Sequence, residues 1–367
     1  MKKVMMVFGT RPEAIKMCPL VHALRAKDDL QTVVCVTGQH REMLDSVLDT
    51  FSVTPDYDLA VMTNRQTLVS LTERVLHRVS EVLEREKPDA VLVHGDTASA
   101  FCAALASFYL KIPVCHVEAG LRTYDIRAPF PEELYREAIS LMASLHFAPT
   151  ARARDNLLRE GKDARRVFVT GNTAIDALRY TVREDFSHPL LDKARGKRLI
   201  LLTAHRRESQ GEPLREALRA IRRVIEEHED TLLVYPLHPS PAVRLLACEV
   251  LAGHPRISLN EPLDVFAFHN ILARAYLVLT DSGGIQEEAP ALGKPVLVLR
   301  DVTERGEGVA AGTLRLLGTG EMSVYQGFTE LLTSSSAYQT MASAVNPYGD
   351  GTASRKIADI LATQENF

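Results

Sequence analysis

The sequence predicts an α/β protein with two doubly wound parallel sheets, and three observations support this prediction. Short apolar runs rich in β-branched residues recur along the chain, and helical patterns separate them, which is typical of βαβ units. The same alternation occurs in both halves. The chain has 367 residues, too many for one compact core and suitable for two domains of ordinary size.

The predicted strands of the first half follow one another at regular intervals. They lie in the segments KVMMVFG, TVVCVTG, AVLVHGD, PVCHVEAG and LHFAPT. Helices between these strands are predicted to begin near Pro12, Glu42, Thr67 and Ala98. Alternating strands and helices of this kind predict a parallel sheet.

The second half repeats this scheme. Its strands are predicted in RVFVTGN, RLILLTAHR, TLLVYPLHP, RISLNEPL, AYLVLTDSGG and KPVLVLRD, although RVFVTGN is assigned to the first half or to the crossing between the halves. The polar segment YTVREDFSHPLLDKARGKR, with Pro189 and Gly196, is the predicted crossing region. The segment YGDGTASRKIADILATQ predicts a turn and an amphipathic helix. Two facing α/β domains bind ligands between the carboxyl ends of their strands, so we expect the active site there.

Composition excludes several classes of partner. A net charge of −4 and a pI near 6.3 give no basic surface for nucleic acid or an anionic membrane. The five cysteines are scattered without CxxC spacing, so neither a disulfide framework nor a zinc site is indicated. The apolar run near the N-terminus is too short for a signal peptide, and no segment approaches a membrane span. We therefore expect a cytoplasmic protein.

Several common catalytic motifs are missing from the sequence. It has no Gly-x-Gly-x-x-Gly after a strand, no P-loop, no Gly-x-Ser-x-Gly and no His-Glu-x-x-His. These absences weaken the case for nicotinamide-dependent hydride transfer and for P-loop phosphoryl transfer. Asp56 and Asp58 in DYD match an Asp-x-Asp metal pattern without companion ligands, so we interpret this segment as a solvated turn.

Acidic residues follow two predicted strands of the first half. VHGDT places Asp96, and HVEAGLR places Glu118, just after a strand, and APFPEELYRE adds Glu132 and Glu133 further on. An unpaired buried carboxylate is costly, so acids in such positions are rarely idle. Carboxyl groups that converge on one site raise one another's pKa, which suits proton transfer. Structural salt bridges are the alternative role for each of these acids.

Basic and aromatic residues also follow predicted strands. FGTRPEAIK places Arg11 and Lys16 at the start of the first helix. The segments TAHRRES, YPLHP, PLDVFAFHN and RDVTERGEG contribute His205, Arg206, His238, Phe268 and Arg305. Each of them alone is a weak signal, because single histidines and arginines commonly make local hydrogen bonds. Their shared position after strands predicts a binding edge.

The segment LTDSGGIQEEA combines Ser282, Gly283 and Gly284 with two acids, Glu287 and Glu288. Glycines at a helix start suit phosphate binding, because the backbone N–H groups there point toward an anion. Acids in a first turn are also favoured by the helix dipole without any ligand. The segment alone leaves both interpretations open.

Segments along the whole chain resemble the bacterial non-hydrolysing UDP-N-acetylglucosamine 2-epimerases. They are FGTRPEAIKM, QHREMLD, VLVHGDT, HVEAGLRT, PEE, TGNTAIDAL, TAHRRES, LTDSGGIQEEAP, GKPVLVLRD and NPYGDG. The resemblance implies a glycosyltransferase-B-like fold, in which two Rossmann-like domains face each other across a cleft. Residues 1–170, joined by a C-terminal helix at about 350–367, are then the first domain, and residues 171–349 are the UDP-binding domain.

The resemblance also implies an activity. Members of this family interconvert UDP-N-acetylglucosamine and UDP-N-acetylmannosamine, which supplies N-acetylmannosamine units for cell-surface polysaccharides. The C2 proton of the sugar is not adjacent to a carbonyl, so direct deprotonation is difficult. Family chemistry removes UDP by anti elimination to 2-acetamidoglucal and adds it back with the proton on the other face. The resemblance implies no metal or other cofactor, and it implies a homodimer.

Roles for individual residues follow from matching positions. Asp96, Glu118 and Glu132 match the carboxylates that transfer protons and stabilise the cationic sugar, with Asp96 favoured as the base at C2, and His205 lies beside the departing diphosphate. Phe268 lies near the uracil, and Glu288 accepts hydrogen bonds from the ribose hydroxyls. Glu287 is interpreted as a first-turn acid without an assigned role. The other residues that match UDP and sugar contacts are Arg11, Lys16, Ser282, Gly283, Gly284 and Arg305.

Some relatives also bind a second UDP-N-acetylglucosamine as an activator beside the active site. The residues that match this pattern are Gln39, Arg65, Arg206 and His238, and Glu132 is shared with it. Glu42 stands where those relatives have glutamine, and Tyr135 replaces the asparagine that commonly precedes Arg136. These departures count against a regulatory site here.

Three other functions stay open at the level of sequence. A hydrolysing 2-epimerase lets water capture the intermediate and releases UDP and N-acetylmannosamine. A glycosyltransferase of the same fold transfers the sugar to an acceptor. A catalytically silent nucleotide-sugar sensor binds without turnover, although carboxylates at every matched position argue against it.

Overall fold

The chain divides into two compact units. The computed structural model describes residues 1–38, 41–62, 67–206, 210–364 and 367, with side chains omitted for residues 41–43. Unit 1 comprises Met1–Tyr180 and Tyr348–Phe367, and unit 2 comprises Thr181–Pro347. Over the described residues, unit 1 holds a seven-stranded sheet and unit 2 a six-stranded sheet, both parallel throughout. The predicted α/β class with two doubly wound sheets is confirmed.

The sheet of unit 1 has the strand order of a Rossmann fold. Its strands are β1 (Lys2–Phe8), β2 (Leu30–Val36), β3 (Tyr57–Asp58), β4 (Ala90–His94), β5 (Val114–Val117), β6 (Ala143–Ala148) and β7 (Val167–Val169). Their order in space is β3-β2-β1-β4-β5-β6-β7. The chain therefore reverses its direction of travel across the sheet between β1 and β4, which is the position where such sheets bind ligands.

Several helices of unit 1 begin just after a threonine that caps them. They are α1 (Arg11–Arg25), α2 (Arg41–Thr50), α3 (Leu68–Glu86), α4 (Ala98–Tyr109), α5 (Glu132–Met142), α6 (Ala151–Arg159) and α7 (Thr173–Thr181), with a 3-10 turn at Ala164–Arg166. The hydroxyl groups of Thr10, Thr67, Thr97 and Thr150 each accept the backbone N–H three residues later. These caps satisfy N–H groups that have no partner within the helix.

The interpretation of DYD as a solvated turn is correct for the two exposed aspartates but misses a short strand. Tyr57 and Asp58 form the edge strand β3, which pairs with β2. The Asp56 carboxylate accepts the backbone N–H of Val34 at 2.8 Å, and that of Asp58 accepts the N–H of Ala60 at 3.0 Å. Asp56 therefore fastens this segment to β2, and Asp58 closes the turn that follows β3. A two-residue strand leaves no periodic pattern in the sequence.

Unit 2 repeats the topology of unit 1. Its strands are β8 (Arg198–Thr203), β9 (Thr231–Pro236), β10 (Ile257–Asn260), β11 (Leu277–Thr280), β12 (Val296–Val298) and β13 (Leu314–Leu316), in the order β10-β9-β8-β11-β12-β13. Its helices are α8 (Pro189–Lys193), α9 (Glu212–Glu227), α10 (Pro241–Leu251), α11 (Val265–Arg274), α12 (Ile285–Ala291), α13 (Gly306–Ala311), α14 (Glu321–Thr333) and α15 (Ser335–Ala342). The reversal point of this sheet lies between β8 and β11. The short strand β13 is absent from the sequence prediction.

Unit 1 extends ten residues beyond the boundary expected at residue 170. The segment RVFVTGN forms β7, which pairs with β6, so it belongs to unit 1. Helix α7 follows it, and its side chains Ala174, Ile175, Ala177 and Leu178 are buried. Because these apolar side chains of α7 are buried, the helix belongs to unit 1, and the boundary between the two units lies after Tyr180.

The C-terminal segment belongs to unit 1 and ends in helix α16 (Ala353–Thr363). The carboxylate of Asp176 in α7 accepts the backbone N–H groups of Ala353 and Ser354, at 3.2 and 2.7 Å. At the other end of α16, Lys2 Nζ donates to the carbonyl of Ala362 at 2.8 Å. Two side chains from the first half of the chain thus form hydrogen bonds with the two ends of the last helix.

The described part of the chain contains no helix that combines the length and the apolar character needed to cross a bilayer.

We expect Asp176→Ala to loosen α16. Asp176 is 4% exposed, and its loss leaves two buried N–H groups unpaired. Amide hydrogen exchange across residues 353–363 should accelerate about tenfold, since an unpaired buried group costs about 1–3 kcal/mol. Asp185→Ala, at an exposed position, is the control and should leave this exchange unchanged. Unaltered exchange in Asp176→Ala would contradict the assigned role.

Candidate active site

In unit 1, the loops that follow β1, β4 and β5 meet beside the start of α5. This is the reversal point of the sheet, and a pocket of about 340 Å³ lies there. Its lining residues are Thr10, Pro12, Glu13, Lys16, Leu68, His94, Asp96, Thr97, Ala98, Glu118, Pro131, Glu132 and Tyr135. The structure thus brings together Lys16, Asp96, Glu118 and Glu132, whereas Arg11 is exposed at the first residue of α1.

Glu118 follows β5 directly and is held by several partners. Its backbone φ of 62° lies in the left-handed region, which residues other than glycine seldom adopt and which surrounding contacts must maintain. Glu118 Oε2 is ion-paired with Lys16 Nζ and accepts a hydrogen bond from Asn172 Nδ2 at 3.1 Å. His94 Nε2 lies 3.6 Å from the same oxygen. Groups from α1, from β4 and from the segment before α7 therefore converge on one oxygen atom.

Asp96 lies two residues beyond β4 and forms an ion pair with Arg136 of α5. Burial raises the pKa of Asp96 above its ordinary value, while the Arg136 guanidinium opposes that increase. Glu118 raises the pKa of Asp96 further, because two carboxylates near each other resist joint ionisation. Asp96 is therefore a stronger base than an ordinary aspartate, with a cation that stabilises its ionised form.

The first two residues of α5 have different surroundings. Glu132 is half-buried and lines the pocket. Glu133 is fully buried, and its Oε1 accepts the backbone N–H groups of Thr123 and Tyr124, both at 2.8 Å. Arg136 Nη1 lies 3.3 Å from the other oxygen of Glu133. Glu133 therefore anchors a loop and an arginine, and Glu132 is the acid available to a ligand.

Glu13 holds the two loops on either side of the reversal point. It is 2% exposed, and its Oε2 accepts the backbone N–H groups of Gly9 and Thr10, at 3.0 and 2.8 Å. Its Oε1 accepts the Thr97 hydroxyl at 2.6 Å. The loop after β1 and the loop after β4 are thus fixed to the same carboxylate.

In unit 2, Asp281 organises the loop that carries His205. Asp281 Oδ2 accepts the backbone N–H groups of His205 and Arg206, both at 2.8 Å, and Oδ1 lies 3.4 Å from His205 Nδ1. The His238 ring stacks on the His205 ring with centroids 5.1 Å apart. Burial lowers the pKa of His205, Asp281 raises it, and His238 lowers it again.

The glycine pair before α12 lies against a buried ion pair. Glu287 is 3% exposed and its Oε1 accepts a hydrogen bond from Arg305 Nε at 2.8 Å. A Cβ atom at residue 283 would lie 3.1 Å from Arg305 Cζ, so Gly283 leaves room for the guanidinium group. Glu287 lies in the first turn of α12, as expected, and its contact with Arg305 gives it a role that the sequence did not assign. Glu287 orients Arg305 beside Ser282, Gly283 and Gly284.

Glu288 and Phe268 lie on adjoining elements of unit 2. Glu288 Oε2 is 3.6 Å from Nε2 of His269, whose Nδ1 is 2.7 Å from the Thr181 hydroxyl. Phe268 is half-buried, and its ring meets that of His269 edge-on with centroids 6.3 Å apart. His269 thus connects the residue matched to ribose with the residue matched to uracil.

The residues matched to a second nucleotide-sugar site are only partly described. Gln39 and Arg65 lie outside the described residues, as does the side chain of Glu42. Arg206 Nη1 lies 3.7 Å from Glu304 Oε1, and His238 stacks on His205. The regulatory site stays a prediction.

A search of the described residues for three or more His, Cys, Asp or Glu side chains arranged to hold a metal ion finds no such group.

Comparisons with known proteins identify the family. The family model described as UDP-N-acetylglucosamine 2-epimerase matches residues 22–362. The chain belongs to the UDP-N-acetylglucosamine 2-epimerase family. The Bacillus subtilis UDP-N-acetylglucosamine 2-epimerase is 56% identical over 359 residues, which cover 98% of this chain and 94% of the relative.

Two solved structures are similar to this family member over nearly their whole length. A Listeria monocytogenes protein, solved as a candidate UDP-N-acetylglucosamine 2-epimerase, is 51% identical with a TM-score of 0.95 and full coverage of both chains. The Neisseria meningitidis UDP-GlcNAc 2-epimerase bound to UDP-GlcNAc is 44% identical with a TM-score of 0.89, covering 98% of this chain and 99% of that one.

Sequence reasoning missed several residues that shape the site of this UDP-N-acetylglucosamine 2-epimerase family member. They are Glu13, His94, Arg136, Asn172 and Asp281. Arg136 follows Glu133 by three residues, which on a helix places the two side chains on one face, so its pairing with an acid was visible in the sequence. Asp281 precedes the glycine pair directly and carried no separate signal.

We expect Asp281→Asn to lower the pKa of His205, because a carboxylate within a few ångströms favours the imidazolium ion. Asparagine keeps an oxygen that can accept the N–H groups of His205 and Arg206, so the loop should persist. The titration is followed by NMR of the histidine Cε1–H resonances. The resonance of exposed His77, which lies on α3, is the internal control. An unchanged or higher pKa for His205 would contradict the assigned role of Asp281.

Proposed function

We propose that the chain catalyses reversible epimerisation at C2 of UDP-N-acetylglucosamine to UDP-N-acetylmannosamine, without net hydrolysis. The observation that carries this proposal is the unit 1 pocket, where Asp96, Glu118, Glu132 and Lys16 meet. A relative of 44% identity has been solved with UDP-GlcNAc bound, which supports the same substrate here.

The chemistry follows from the substrate. The C2–H bond lacks an adjacent carbonyl, so its proton becomes removable when the C1–O bond to UDP breaks and positive charge develops on the sugar. A base takes the C2 proton, the electron pair of that bond forms the C1–C2 double bond, and UDP leaves as the anion. Addition of UDP to 2-acetamidoglucal, with a proton delivered to the opposite face of C2, completes the epimerisation.

The surroundings of the three carboxylates support different roles for them. Asp96 has a raised pKa and a cationic partner, Arg136, which suits a base that must be ionised at neutral pH and strong enough to take a proton. Glu118 is paired with Lys16, so it supplies negative charge near the developing cation. Glu118 and Glu132 then exchange protons on the opposite face of the ring.

Unit 2 supplies groups suited to a nucleoside diphosphate. Backbone N–H groups at Gly283 and Gly284 can approach phosphate oxygens closely, and Arg305, oriented by Glu287, adds a positive charge. Ser282, whose own N–H donates to the Thr280 hydroxyl at 2.9 Å, adds its side-chain hydroxyl group. In this proposal His205 lies beside the departing diphosphate, Glu288 binds the ribose hydroxyls, and Phe268 lies near the uracil. The product would supply N-acetylmannosamine units for polysaccharide synthesis.

We expect the protein, incubated with UDP-N-acetylglucosamine in deuterated water, to form UDP-N-acetylmannosamine with deuterium at C2, as detected by NMR. Asp96→Asn, Glu118→Gln and Glu132→Gln should each lower kcat by at least about 10²-fold, the usual effect of removing an acid or base. Glu137→Gln, on the same helix as Glu132 and outside the pocket lining, is the matched control and should retain wild-type kcat.

The outcomes of this experiment are distinct. Absence of both the epimer and C2 deuterium would refute the proposed function. Stoichiometric release of UDP with free N-acetylmannosamine would replace it with hydrolytic epimerisation. Wild-type turnover in all three carboxylate variants would refute the assigned residues.

We also infer that the protein is a homodimer associated through helices α4 and α5. These helices pack against each other and run parallel, because each connects neighbouring strands of one parallel sheet. Their carboxyl ends expose Phe108, Tyr109 and Leu141, with 57, 66 and 79% of each side chain accessible. Adjacent exposed apolar side chains of this size are typical of association surfaces.

The expected species is therefore a particle of two 40.7 kDa chains, measured by sedimentation equilibrium. The double variant Phe108→Lys, Leu141→Lys should sediment as a monomer, because it places charges in the interface. Leu245→Lys, at an apolar position 73% exposed on α10, is the control and should remain dimeric. A monomeric wild-type protein, or a dimeric double variant, would contradict this interface.

A further inference from the structure

His94 is a buried polar side chain to which the proposed reaction gives no role. It lines the pocket of unit 1 and is 3% exposed. Its Nε2 atom has no hydrogen-bond partner among the described residues. Leaving a buried nitrogen unpaired costs about 1–3 kcal/mol, so the position requires an explanation beyond packing.

The register of the sheet places His94 beside Glu118. His94 is the last residue of β4 and pairs in register with Val117, the last residue of β5. Glu118 is the next residue along the chain. The separation of 3.6 Å between His94 Nε2 and Glu118 Oε2 is therefore set by two hydrogen-bonded strands. Lys16 and Asn172 already contact this same oxygen.

The charged groups around His94 come from its own loop and from three other elements. Lys16 faces it from α1, Glu118 follows β5, and Asp96 lies two residues further along its own loop, paired with Arg136 of α5. Burial lowers the pKa of His94 to about 4, and Lys16 lowers it as well, whereas Glu118 and a hydrogen bond to the backbone of His94 itself raise it. The ring is consequently neutral near pH 7 and carries a single N–H group.

We propose that His94 is a positioning residue for Glu118, in which Nε2–H donates to Glu118 Oε2 when substrate occupies the pocket. Hydrogen bonds at active sites are commonly long without ligand and shorten in the complex, and closing this one requires a movement of about half an ångström. Three donors to Oε2 then fix the orientation of the Glu118 carboxylate. The position from which Oε1 exchanges a proton is fixed with it. This inference rests on the proposed epimerase function.

The kinetic test compares two substitutions at His94. His94→Gln keeps an N–H donor with similar reach, whereas His94→Met has similar size and no donor. We expect His94→Met to lower kcat at least about tenfold with KM changed less than about threefold, and His94→Gln to stay within about threefold of wild type. In His94→Met, the acid limb of the kcat/KM profile should move to higher pH, because losing a donor disfavours the Glu118 carboxylate.

His146 provides a matched control. It is a histidine 2% exposed on β6, its Nδ1 is also unpaired, and it does not line the pocket. His146→Met should therefore leave kcat and the pH profile close to wild type. Equal losses in His94→Gln and His94→Met, or a loss in His146→Met as large as that in His94→Met, would assign His94 a purely structural role and overturn the proposal.

A second measurement does not depend on turnover. In protein labelled with ¹⁵N-histidine, the nitrogen shifts report which ring nitrogen of His94 carries the proton, and the His94→Gln variant assigns the resonance. We expect the proton on Nε2 from pH 6 to 8. A proton on Nδ1 would overturn the proposal. An inactive wild-type protein would refute the epimerase function, and the tautomer would still decide whether His94 can donate to Glu118.

Discussion

A carboxylate that leaves water must find a positive charge or several hydrogen-bond donors, and both sheet edges of this protein are organised by that requirement. Asp96 meets Arg136, Glu118 meets Lys16, and Glu287 meets Arg305. Breaking a buried ion pair by removing one partner typically costs about 3–5 kcal/mol, because the other charge stays buried. Each ion pair therefore fixes the positions of both side chains, and with them the loops that carry these side chains.

The acids accordingly divide into those that hold the structure and those that face a ligand. Glu13, Glu133 and Asp281 each accept two backbone N–H groups on one carboxylate oxygen, so their loops are fixed. Asp96 and Glu132 line the pocket, as Glu13 does, and Asp96 is paired with the side chain of Arg136. Glu118 combines the two roles, since one of its oxygens is bound by Lys16 and Asn172 while the residue itself lines the pocket. Acids to which the proposed reaction gives no role thus fix the loops that carry the site.

The sequence predicted the regular elements of the fold well, because their signals are local. Predicted helix starts near Pro12, Glu42, Thr67 and Ala98 each lie within one residue of the observed start. Strands β3 and β13 were missed, since two or three residues carry no periodicity. The family resemblance assigned Lys16, Asp96, Glu118 and Glu132 to one active site. It could not show which acids form ion pairs, because their partners come from distant segments of the chain. Glu287 is the clearest case: its cation, Arg305, lies 18 residues further along the chain.

The two ends of the chain both belong to unit 1, and Lys2 donates to a carbonyl at the end of α16. This arrangement has a consequence for synthesis on the ribosome. Unit 2 is a continuous stretch from Thr181 to Pro347, so all of it is translated before the last helix of unit 1 exists. Until α16 is made, Asp176 and Lys2 lack their hydrogen-bond partners in that helix, and the apolar surface that α16 covers is exposed. Emergence of residues 348–367, rather than of the first 180 residues, is the event that completes the carboxylate-bearing unit.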